Sequence, residues 1–494
     1  MTDFTPSPLK IAIVGGGISG LTAAYTIARA RANGAPVDAL LVEASGRWGG
    51  LIRTENIEDF TIEAGPDSFL AAKPEAVALC RELGLAAELI GSNDATRRTY
   101  IVNRGKLETL PGGLMFFVPA RLWTPLFSPL FPLRSKLAMA RDFFRFGPPR
   151  PISPDETVAD FVRRHLGSEV LETIVDPLLA GVYGGDSAQL SARAVLPALV
   201  EIERRGPSLV RGVIAARTSA RPAEPVFTTL KSGVEELPRA LVAQLNASSA
   251  PGSCRLILNE PIESVEALPC SAGAQPRYRI HCRTGIVYEA DAIILALPGT
   301  ECARLLRPLD RLLSQHLAAI PYAPSVTISL AYRSLDQRLP RGFGFLVPRR
   351  EGRRLLAATF VHAKFSHRAP PGAALLRCFI GGSRQPDVCE LTDEQLLEIA
   401  RRELREILKL HQEPAFYRVS RWPVAMPQYV VGHQDRVAEI ECRLPRRQGL
   451  FLAGNTYHGI GISDCIRSGR AAAEQAIAYA ARSANGSRPA QPTA

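Results

Sequence analysis

The chain opens with short apolar runs separated by a glycine-rich turn. Residues 10–14 (KIAIV) are apolar, and the turn GGGISG leads into apolar positions at helical spacing. A second apolar run, DALLVE, covers 38–43. This pattern predicts a strand, a helix and a parallel strand, which together form a βαβ unit of the usual length.

Further along the chain the period changes several times. Apolar residues three and four apart predict a helix from 74 that ends near Gly84, several helices within 155–217, and a helix over 392–408. Strand-like runs resume after 256, and the last of them, GLFLAGNT, precedes a helical pattern. Both ends of the chain are thus typical of a nucleotide-binding sheet. We therefore expect one domain built from distant parts of the chain, with the middle inserted into it.

The glycine-rich turn meets the requirements of a dinucleotide-binding motif. Gly15, Gly17 and Gly20 form G-x-G-x-x-G directly between the predicted strand and helix. These glycines permit the tight turn, the approach of the backbone to a pyrophosphate, and close packing of the helix on the strand. The helix start then offers free N–H groups to phosphates, and Glu43 is placed to bind a ribose diol. The cofactor-binding residues predicted here are Gly15, Gly16, Gly17, Ile18, Ser19, Gly20, Glu43 and Ala44.

The motif alone does not distinguish NAD from FAD, but two further stretches do. The loop after Glu43, EASGRWGGLIRTE, carries Arg47, Gly49 and Gly50, and it resembles the extended FAD fingerprint of the amine oxidase and protoporphyrinogen oxidase group of flavoproteins. Residues 450–469 resemble the closing motif of the same group, in which a helix start meets the flavin. The resemblance implies non-covalently bound FAD.

Six ordered stretches narrow the resemblance to the porphyrinogen oxidases of haem synthesis. They lie at 63–85, 107–113, 156–170, 178–197, 341–348 and 426–433, and the resemblance extends from about residue 10 to about 480. It implies oxidation of a porphyrinogen to a porphyrin through three hydride transfers to the flavin, with oxygen reduced to hydrogen peroxide. Protoporphyrinogen IX is favoured, with coproporphyrinogen III as the open alternative.

The resemblance also implies roles for individual residues. The loop beneath the flavin would consist of Gly65, Pro66, Asp67 and Ser68. The backbone of Ile262 would contact the adenine side, and the helix start that faces the flavin would consist of Ile460, Gly461 and Ile462. On the substrate side, Arg97 would bind a propionate, and Gly181 and Gly184 would face the macrocycle. The apolar side chains that hold its rings would be Phe343, Leu346 and Met426. No protein acid or base is assigned.

Simpler interpretations of the substrate residues stay open. Arg97 beside Arg98 is also typical of an exposed loop, and Phe343 and Leu346 are also typical of a core. Lys73 could meet a carboxylate or face water.

Other functions are weighed against porphyrinogen oxidation. Amine oxidation and carotenoid desaturation are the enzymatic alternatives. Flavin amine oxidases typically carry an acidic residue after the glycine of the closing motif, and Asn455 follows Gly454 here, which argues against amine oxidation. A non-enzymatic flavin- or haem-binding scaffold is a further alternative. His362 and His367 lie five positions apart, which does not place two ligands on one helical face, so no metal site is expected.

Composition adds expectations about partners and location. The net charge of +11 favours an anionic partner such as a carboxylated porphyrinogen, whereas the scattered arginines argue against nucleic acid. Nine cysteines without a C-x-x-C pair are typical of reduced thiols in the cytoplasm, and no signal peptide fits before residue 10. Two further partners are expected, namely a second copy of the chain in a homodimer and a ferrochelatase that receives the product.

The most apolar long window, 114–133, is a candidate membrane contact. Its four prolines and Arg121 argue against a transmembrane helix. It is either a buried irregular segment or a surface that enters one leaflet, with Arg121 and Arg134 at the headgroups. The second interpretation predicts a peripheral protein on the inner face of the membrane.

The predicted fold class is α/β with α+β parts. A discontinuous Rossmann-like FAD-binding domain is assigned to 1–74, 228–298 and 449–482, and an inserted sheet-and-helix substrate-binding domain to 75–109 and 299–448. Residues 110–227 are assigned to a mainly helical, membrane-facing subdomain, and 483–494 to a disordered polar tail.

Overall fold

The structure of the chain, a computed structural model, describes residues 8–121, 127–148, 155–217, 225–247, 254–268 and 277–486. Its strands are β1 (Leu9–Val14), β2 (Val37–Val42), β3 (Thr54–Ile57), β4 (Phe60–Glu63), β5 (Phe69–Leu70), β6 (Leu89–Gly91), β7 (Thr99–Asn103), β8 (Lys106–Thr109), β9 (Leu114–Met115), β10 (Val118–Pro119), β11 (Phe227–Leu230), β12 (Cys254–Ile257), β13 (Ile262–Leu268), β14 (Arg277–Cys282), β15 (Val287–Ala290), β16 (Ala292–Leu295), β17 (Tyr322–Tyr332), β18 (Gly344–Leu346), β19 (Leu355–Phe360), β20 (Ala374–Gly381), β21 (Phe416–Pro427) and β22 (Leu450–Leu452). Its helices are α1 (Ile18–Ala32), α2 (Pro74–Glu82), α3 (Leu133–Phe143), α4 (Val158–Leu166), α5 (Ser168–Val170), α6 (Asp176–Tyr183), α7 (Ala192–Val195), α8 (Pro197–Arg205), α9 (Leu209–Arg217), α10 (Glu236–Ala247), α11 (Gly299–Leu306), α12 (Arg311–Ala318), α13 (Val361–Lys364), α14 (Asp393–Leu408), α15 (His433–Arg443) and α16 (Ile462–Gly486).

A five-stranded parallel sheet forms the first layer, in the order β12-β2-β1-β16-β22. Alternate residues of β1 face opposite sides, as the period of a strand requires. Ile11 and Ile13 pack toward α1, α10 and α16, whereas Ala12 and Val14 pack toward α11, α12 and the small antiparallel sheet β13-β14-β15. The predicted βαβ unit is confirmed, since β1 and β2 are parallel neighbours on either side of α1 in the chain.

The packing of α2 differs from the predicted domain division. This helix lies within 75–109, the range assigned to substrate binding, yet Ala76, Leu79 and Cys80 are fully buried in the core of the parallel sheet. These residues form one apolar face that covers α16. The change of body therefore comes after α2 and not before it.

The C-terminal tail begins later than predicted. Helix α16 continues to Gly486, so the prediction of disorder from 483 is wrong for residues 483–486. Extending an existing helix by a few residues costs little, because the nucleation cost has already been met. Residues 487–494 lie outside the described part of the chain.

A helical body follows the first layer. Helices α3 to α9 enclose a core that includes Phe161, Ile174 and Leu199. The short hairpin β9-β10 covers part of the apolar window, and its Phe117 and Val118 are buried in the same core. Across the described residues, no helix is both long and apolar enough to span a bilayer.

A seven-stranded sheet forms the remaining body, in the order β21-β17-β20-β19-β18-β7-β8. One face packs on α14, which begins with a capping box between Thr392 and Gln395 as the sequence pattern over 392–408 requires. The other face is turned toward the first layer, since Arg377 of β20 and Trp422 of β21 both donate hydrogen bonds to the Ala64 carbonyl. The space between these bodies is where the predicted site residues gather.

Candidate active site

The glycine turn leaves the start of α1 open. Gly17 is the N-cap residue, no side chain caps it, and the first turn of the helix holds no acidic residue. Gly15 has φ +107°, and a Cβ there would lie 2.4 Å from the Ala296 carbonyl oxygen, so only glycine fits. A Cβ on Gly20 would lie 1.9 Å from the Gly15 oxygen. The turn therefore presents backbone N–H groups at a helix N-terminus, where anions bind.

The second glycine loop lies directly against the first. The Gly49 amide donates to the Gly16 carbonyl at 2.8 Å, and Gly17 and Gly49 pair as a short parallel bridge. A Cβ on Gly17 would have only the Gly50 Cα near it, at 4.0 Å, so this face of the turn is open space. Two glycine loops around an open cradle fit a pyrophosphate.

Arg47 shapes this second loop from within. Its guanidinium donates to the carbonyls of Trp48, Gly50 and Ile52 at 2.9 to 3.2 Å. Burial lowers the pKa of Arg47, and nearby Glu235 opposes that shift. The structure thus shows Arg47 holding the loop backbone in place.

Glu43 lies at the end of β2 beside the turn. One carboxylate oxygen accepts a hydrogen bond from the Gly16 amide at 2.6 Å, and the other accepts from the Ser45 amide at 2.8 Å. The Glu260 amide bonds the Glu43 carbonyl, which brings the start of β13, with Ile262, to the same edge. The structure therefore brings the predicted ribose residue, Glu43, and the predicted adenine-side residue, Ile262, to the same end of β2. Ala44 directly follows Glu43 in the chain.

The loop 64–68 connects the glycine loops to the start of α16. A Cβ on Gly65 would lie 1.7 Å from the Leu51 carbonyl oxygen, so the two segments touch. Beyond β5, Lys73 reaches Asp464 of α16 at 2.6 Å. The carboxylate that Lys73 meets here is one of the protein's own, and the lysine side chain stays 42% exposed. Asp464 also accepts a hydrogen bond from the Gly461 amide at 3.2 Å, so Lys73 links the segment after the loop 64–68 to the start of α16; these two segments together are the predicted flavin wall.

Tyr429 fixes the loop that precedes α16. Its hydroxyl donates to the Asn455 carbonyl at 2.6 Å and accepts from the Gly459 amide at 2.8 Å. The ring stacks on His433 with centroids 4.0 Å apart, and the next loop residue, Ile460, packs on the helical body. Tyr429 lies within the stretch 426–433 but was not among the predicted site residues, although its position three residues after Met426 was an available signal.

The predicted substrate residues lie between α6 and the seven-stranded sheet. A Cβ on Gly181 would lie 3.3 Å from Leu346 of β18, so these two residues face each other closely. Gly184 ends α6 with φ +60° and lies near Ala323, the residue paired with Met426 across β17 and β21. The structure therefore brings four of the six predicted substrate residues to one region.

Arg97 and Phe343 lie at the neighbouring edge of the sheet. The Phe343 amide donates to the Arg98 carbonyl at 2.8 Å. The Arg97 side chain is 48% exposed and lies 3.6 Å from Asp94, whereas Phe343 is 8% exposed. Arg97 is thus an exposed cation already within ion-pair distance of Asp94, while Phe343 is largely enclosed.

Buried charges surround the loop 64–68, and the sequence analysis missed most of them. Lys364 of α13 lies 3.1 Å from both carboxylate oxygens of Asp67. Burial acts to raise the pKa of Asp67, but Lys364 and Arg377 outweigh it and hold that pKa well below its usual range. The only local signal was an arginine inside the apolar run ALLRCFIG of β20.

The donor set fits FAD. An uncapped helix start, an open glycine cradle and a carboxylate at the end of β2 supply the partners that a dinucleotide requires. Among the described residues, no three His, Cys, Asp or Glu side chains lie together as metal ligands would.

Comparison with known proteins places this geometry in context. The model of the family described as flavin containing amine oxidoreductase matches residues 18–477. The chain is 30% identical over 480 residues to the coproporphyrinogen III oxidase of Bacillus subtilis (strain 168), which covers 95% of this chain and 98% of the relative. It is 31% identical over 482 residues to the chloroplastic protoporphyrinogen oxidase 1 of Arabidopsis thaliana, covering 92% and 85%.

A solved structure agrees over the same length. It is that of a protein named "putative protoporphyrinogen oxidase" from Exiguobacterium sp. 255-15, with a TM-score of 0.84 and 29% sequence identity. The match covers 95% of this chain and 99% of that one. The arrangement of the three bodies described above is therefore shared with that protein.

Proposed function

The chain belongs to the flavin-containing amine oxidoreductases and, within them, to the porphyrinogen oxidases, and we propose that its preferred substrate is protoporphyrinogen IX. It is an FAD-dependent enzyme of haem biosynthesis that oxidises a porphyrinogen to a porphyrin. Molecular oxygen is its oxidant.

The distribution of charge around α6 and β18 supports this choice. Gly181, Leu346 and Met426 offer an apolar surface, and Arg97 is an exposed cation just before β7, the strand that pairs with β18. Protoporphyrinogen IX carries its two propionates on one edge and apolar substituents elsewhere. One cationic edge and one apolar face match that pattern.

Coproporphyrinogen III is the second candidate. The names of bacterial relatives favour it, including the enzymes of Bacillus subtilis and Propionibacterium freudenreichii. Its four propionates would place a carboxylate against the apolar side as well as at Arg97. Comparison of kcat/KM for the two porphyrinogens under oxygen tests the proposal, which requires the larger value for protoporphyrinogen IX.

The protein contributes orientation and water exclusion. FAD, when bound, would supply the redox chemistry, namely hydride acceptance and the reduction of oxygen. The backbone of Gly15 to Gly20 and of Gly49 and Gly50 would hold its pyrophosphate, with Glu43 at the ribose. Leu346 and Gly181, which contact each other, would together form one apolar wall of the macrocycle site and keep water from that side of the ring.

Arg97 would anchor a propionate, and this role has a direct test. Arg97→Ala should raise KM for the porphyrinogen about tenfold or more, since a charge-assisted hydrogen bond contributes about 1.5–3 kcal/mol. Arg98→Ala is the matched control, because it removes an adjacent exposed arginine without the predicted role. An unchanged KM in Arg97→Ala would show that the propionate binds elsewhere.

An exposed apolar surface marks the proposed membrane contact. Phe127, Leu133, Leu137, Phe144 and Phe146 are between 61% and 87% exposed on and around α3. Exposed arginines lie among them, at positions 134, 141 and 145. Apolar side chains beside cations suit the interface of an anionic bilayer.

A vesicle assay tests that contact. The wild-type chain should sediment with vesicles that contain phosphatidylglycerol, and Leu137→Asp with Phe144→Asp should abolish sedimentation while porphyrinogen turnover in detergent is kept. Equal sedimentation of both would refute a peripheral location at the inner face of the membrane. Transfer of the product to a ferrochelatase at that face, and a homodimer, belong to the same proposal.

A further inference from the structure

Arg377 is a buried arginine on the face of the seven-stranded sheet that meets the loop 64–68. It is 5% exposed, and its guanidinium donates to the carbonyls of Gly65 at 2.5 Å and Ala64 at 3.3 Å. Its Nε atom has no hydrogen-bond partner. Burial lowers the pKa of Arg377, against the opposing effect of Asp67 and Glu63.

Arg377 is the cation without a matching acid in this cluster. Lys364 pairs with Asp67 at 3.1 Å, and Arg368 pairs with Glu63 at 2.8 Å. Within the described part of the chain, Arg377 has no carboxylate within 4.0 Å. The cluster therefore carries three cations and two acids, and the excess charge is positive.

The loop does not need this charge for its anchorage. The Ala64 carbonyl already accepts from the Trp422 indole at 2.9 Å and from the Thr327 hydroxyl at 3.2 Å. Neutral donors thus hold the same backbone from two other strands. A buried cation without a counter-ion is costly, so its retention calls for a negative partner.

We propose that the negative partner of Arg377 is the flavin in its reduced, anionic form. The inference rests on the proposed function, because the loop 64–68 lines the wall between the glycine loops and α16 where the flavin is expected. A fixed positive charge behind that loop stabilises the negative charge that the ring gains on reduction. Arg377 therefore raises the reduction potential of bound FAD and is a positioning residue for charge, not one that touches the substrate.

A redox titration of the holoenzyme against reference dyes tests this role. Arg377→Met should shift the reduction equilibrium at least about tenfold toward oxidised flavin, which is about 30 mV for a two-electron couple. Arg377→Lys keeps the charge and should shift it much less. A potential of Arg377→Met equal to that of the wild type would refute the proposal.

The sign of the shift in two further variants separates charge from structural support. Asp67→Asn increases the excess positive charge and should raise the potential, whereas Lys364→Met removes a cation and should lower it. If the cluster only supported the loop, both variants would weaken FAD binding and shift the potential in the same direction. These two variants also decide the matter if Arg377→Met does not fold.

Sulfite gives an independent spectroscopic measure. It donates an electron pair to flavin N5, forming an S–N bond and placing negative charge on the ring, which bleaches the flavin absorption. The sulfite Kd should weaken about tenfold in Arg377→Met and tighten in Asp67→Asn. Both measurements are independent of the substrate, so a wild-type enzyme that binds FAD but oxidises no porphyrinogen would refute the proposed function and leave this test intact.

Discussion

Removal of the Tyr429 hydroxyl tests how the substrate side of the molecule controls FAD binding. Tyr429 follows the strand that carries Met426, yet its hydroxyl bonds the loop 455–459 in front of α16. In Tyr429→Phe the ring can still stack on His433, so the change removes two hydrogen bonds and little packing. The loop would then no longer be held in the shape that meets the flavin.

The expected magnitude follows from the two backbone groups left without a partner. An unpaired buried donor or acceptor costs about 1–3 kcal/mol. Because Asn455 and Gly459 are half-buried and can reach some water, the lower end applies to each, about 2 kcal/mol in total. If this cost is met when FAD orders the loop, Kd for FAD rises about 30-fold.

The assay is a titration of apoprotein with FAD, followed by quenching of flavin fluorescence. Tyr278→Phe is a matched control, because the Tyr278 hydroxyl also bonds a backbone carbonyl, that of Gln448, but lies away from the predicted flavin wall. The control should lose stability without a change in Kd. A Kd for Tyr429→Phe within a factor of two of the wild type would show that this loop does not bind the flavin.

Three other changes have expected outcomes. Arg384→Met removes the cation that ties both ends of the α6 segment to the sheet, so KM for the porphyrinogen should rise several-fold in steady-state assays while the flavin content stays constant. Gly181→Val adds bulk 3.3 Å from Leu346 and should lower kcat/KM with either porphyrinogen, leaving the FAD Kd unchanged. Burial lowers the pKa of His433 to about 4, so the stability held by its neutral form is complete above about pH 6.5 and is lost as the pH falls toward 4. The free energy of unfolding, measured with urea, should therefore fall between pH 7 and pH 4.5 by about 2 kcal/mol less in His433→Gln than in the wild type.

The elements predicted best are those whose signal is local. The strand, turn and helix around Gly15 follow from adjacent residues, because backbone geometry allows few sequences at such a turn. Helix α14 was expected over 392–408 and is observed at Asp393–Leu408, since its period and its capping residue Thr392 lie side by side in the chain. Periodicity and capping need no knowledge of distant partners.

The arrangement of the seven-stranded sheet has no local signal. Strand β7 pairs in parallel with β18, whose residues lie more than 240 positions later. Nothing in TYIVN indicates that partner, because pairing depends on the packing of the whole sheet. Arg377 could not be predicted for the same reason, because its partners at Ala64 and Gly65 come from another body of the molecule. The domain division placed α2 incorrectly because its packing partner α16 is also distant in the chain.

The location of the excess charge explains why the two halves of the site belong to different bodies. The first layer supplies the glycine loops, which recognise the cofactor through backbone groups and carry no charge of their own at the ring. The charges come instead from Arg377, on the same sheet that presents Leu346 to the substrate, and from Lys364 of α13, the short helix that directly follows β19. A sheet that holds both substrate and counter-charge can set the affinity for a porphyrinogen and the potential of the flavin with one rigid surface. Substitutions on its site-facing side should therefore alter potential and substrate binding without weakening the glycine cradle, whereas substitutions at Gly17 should do the reverse.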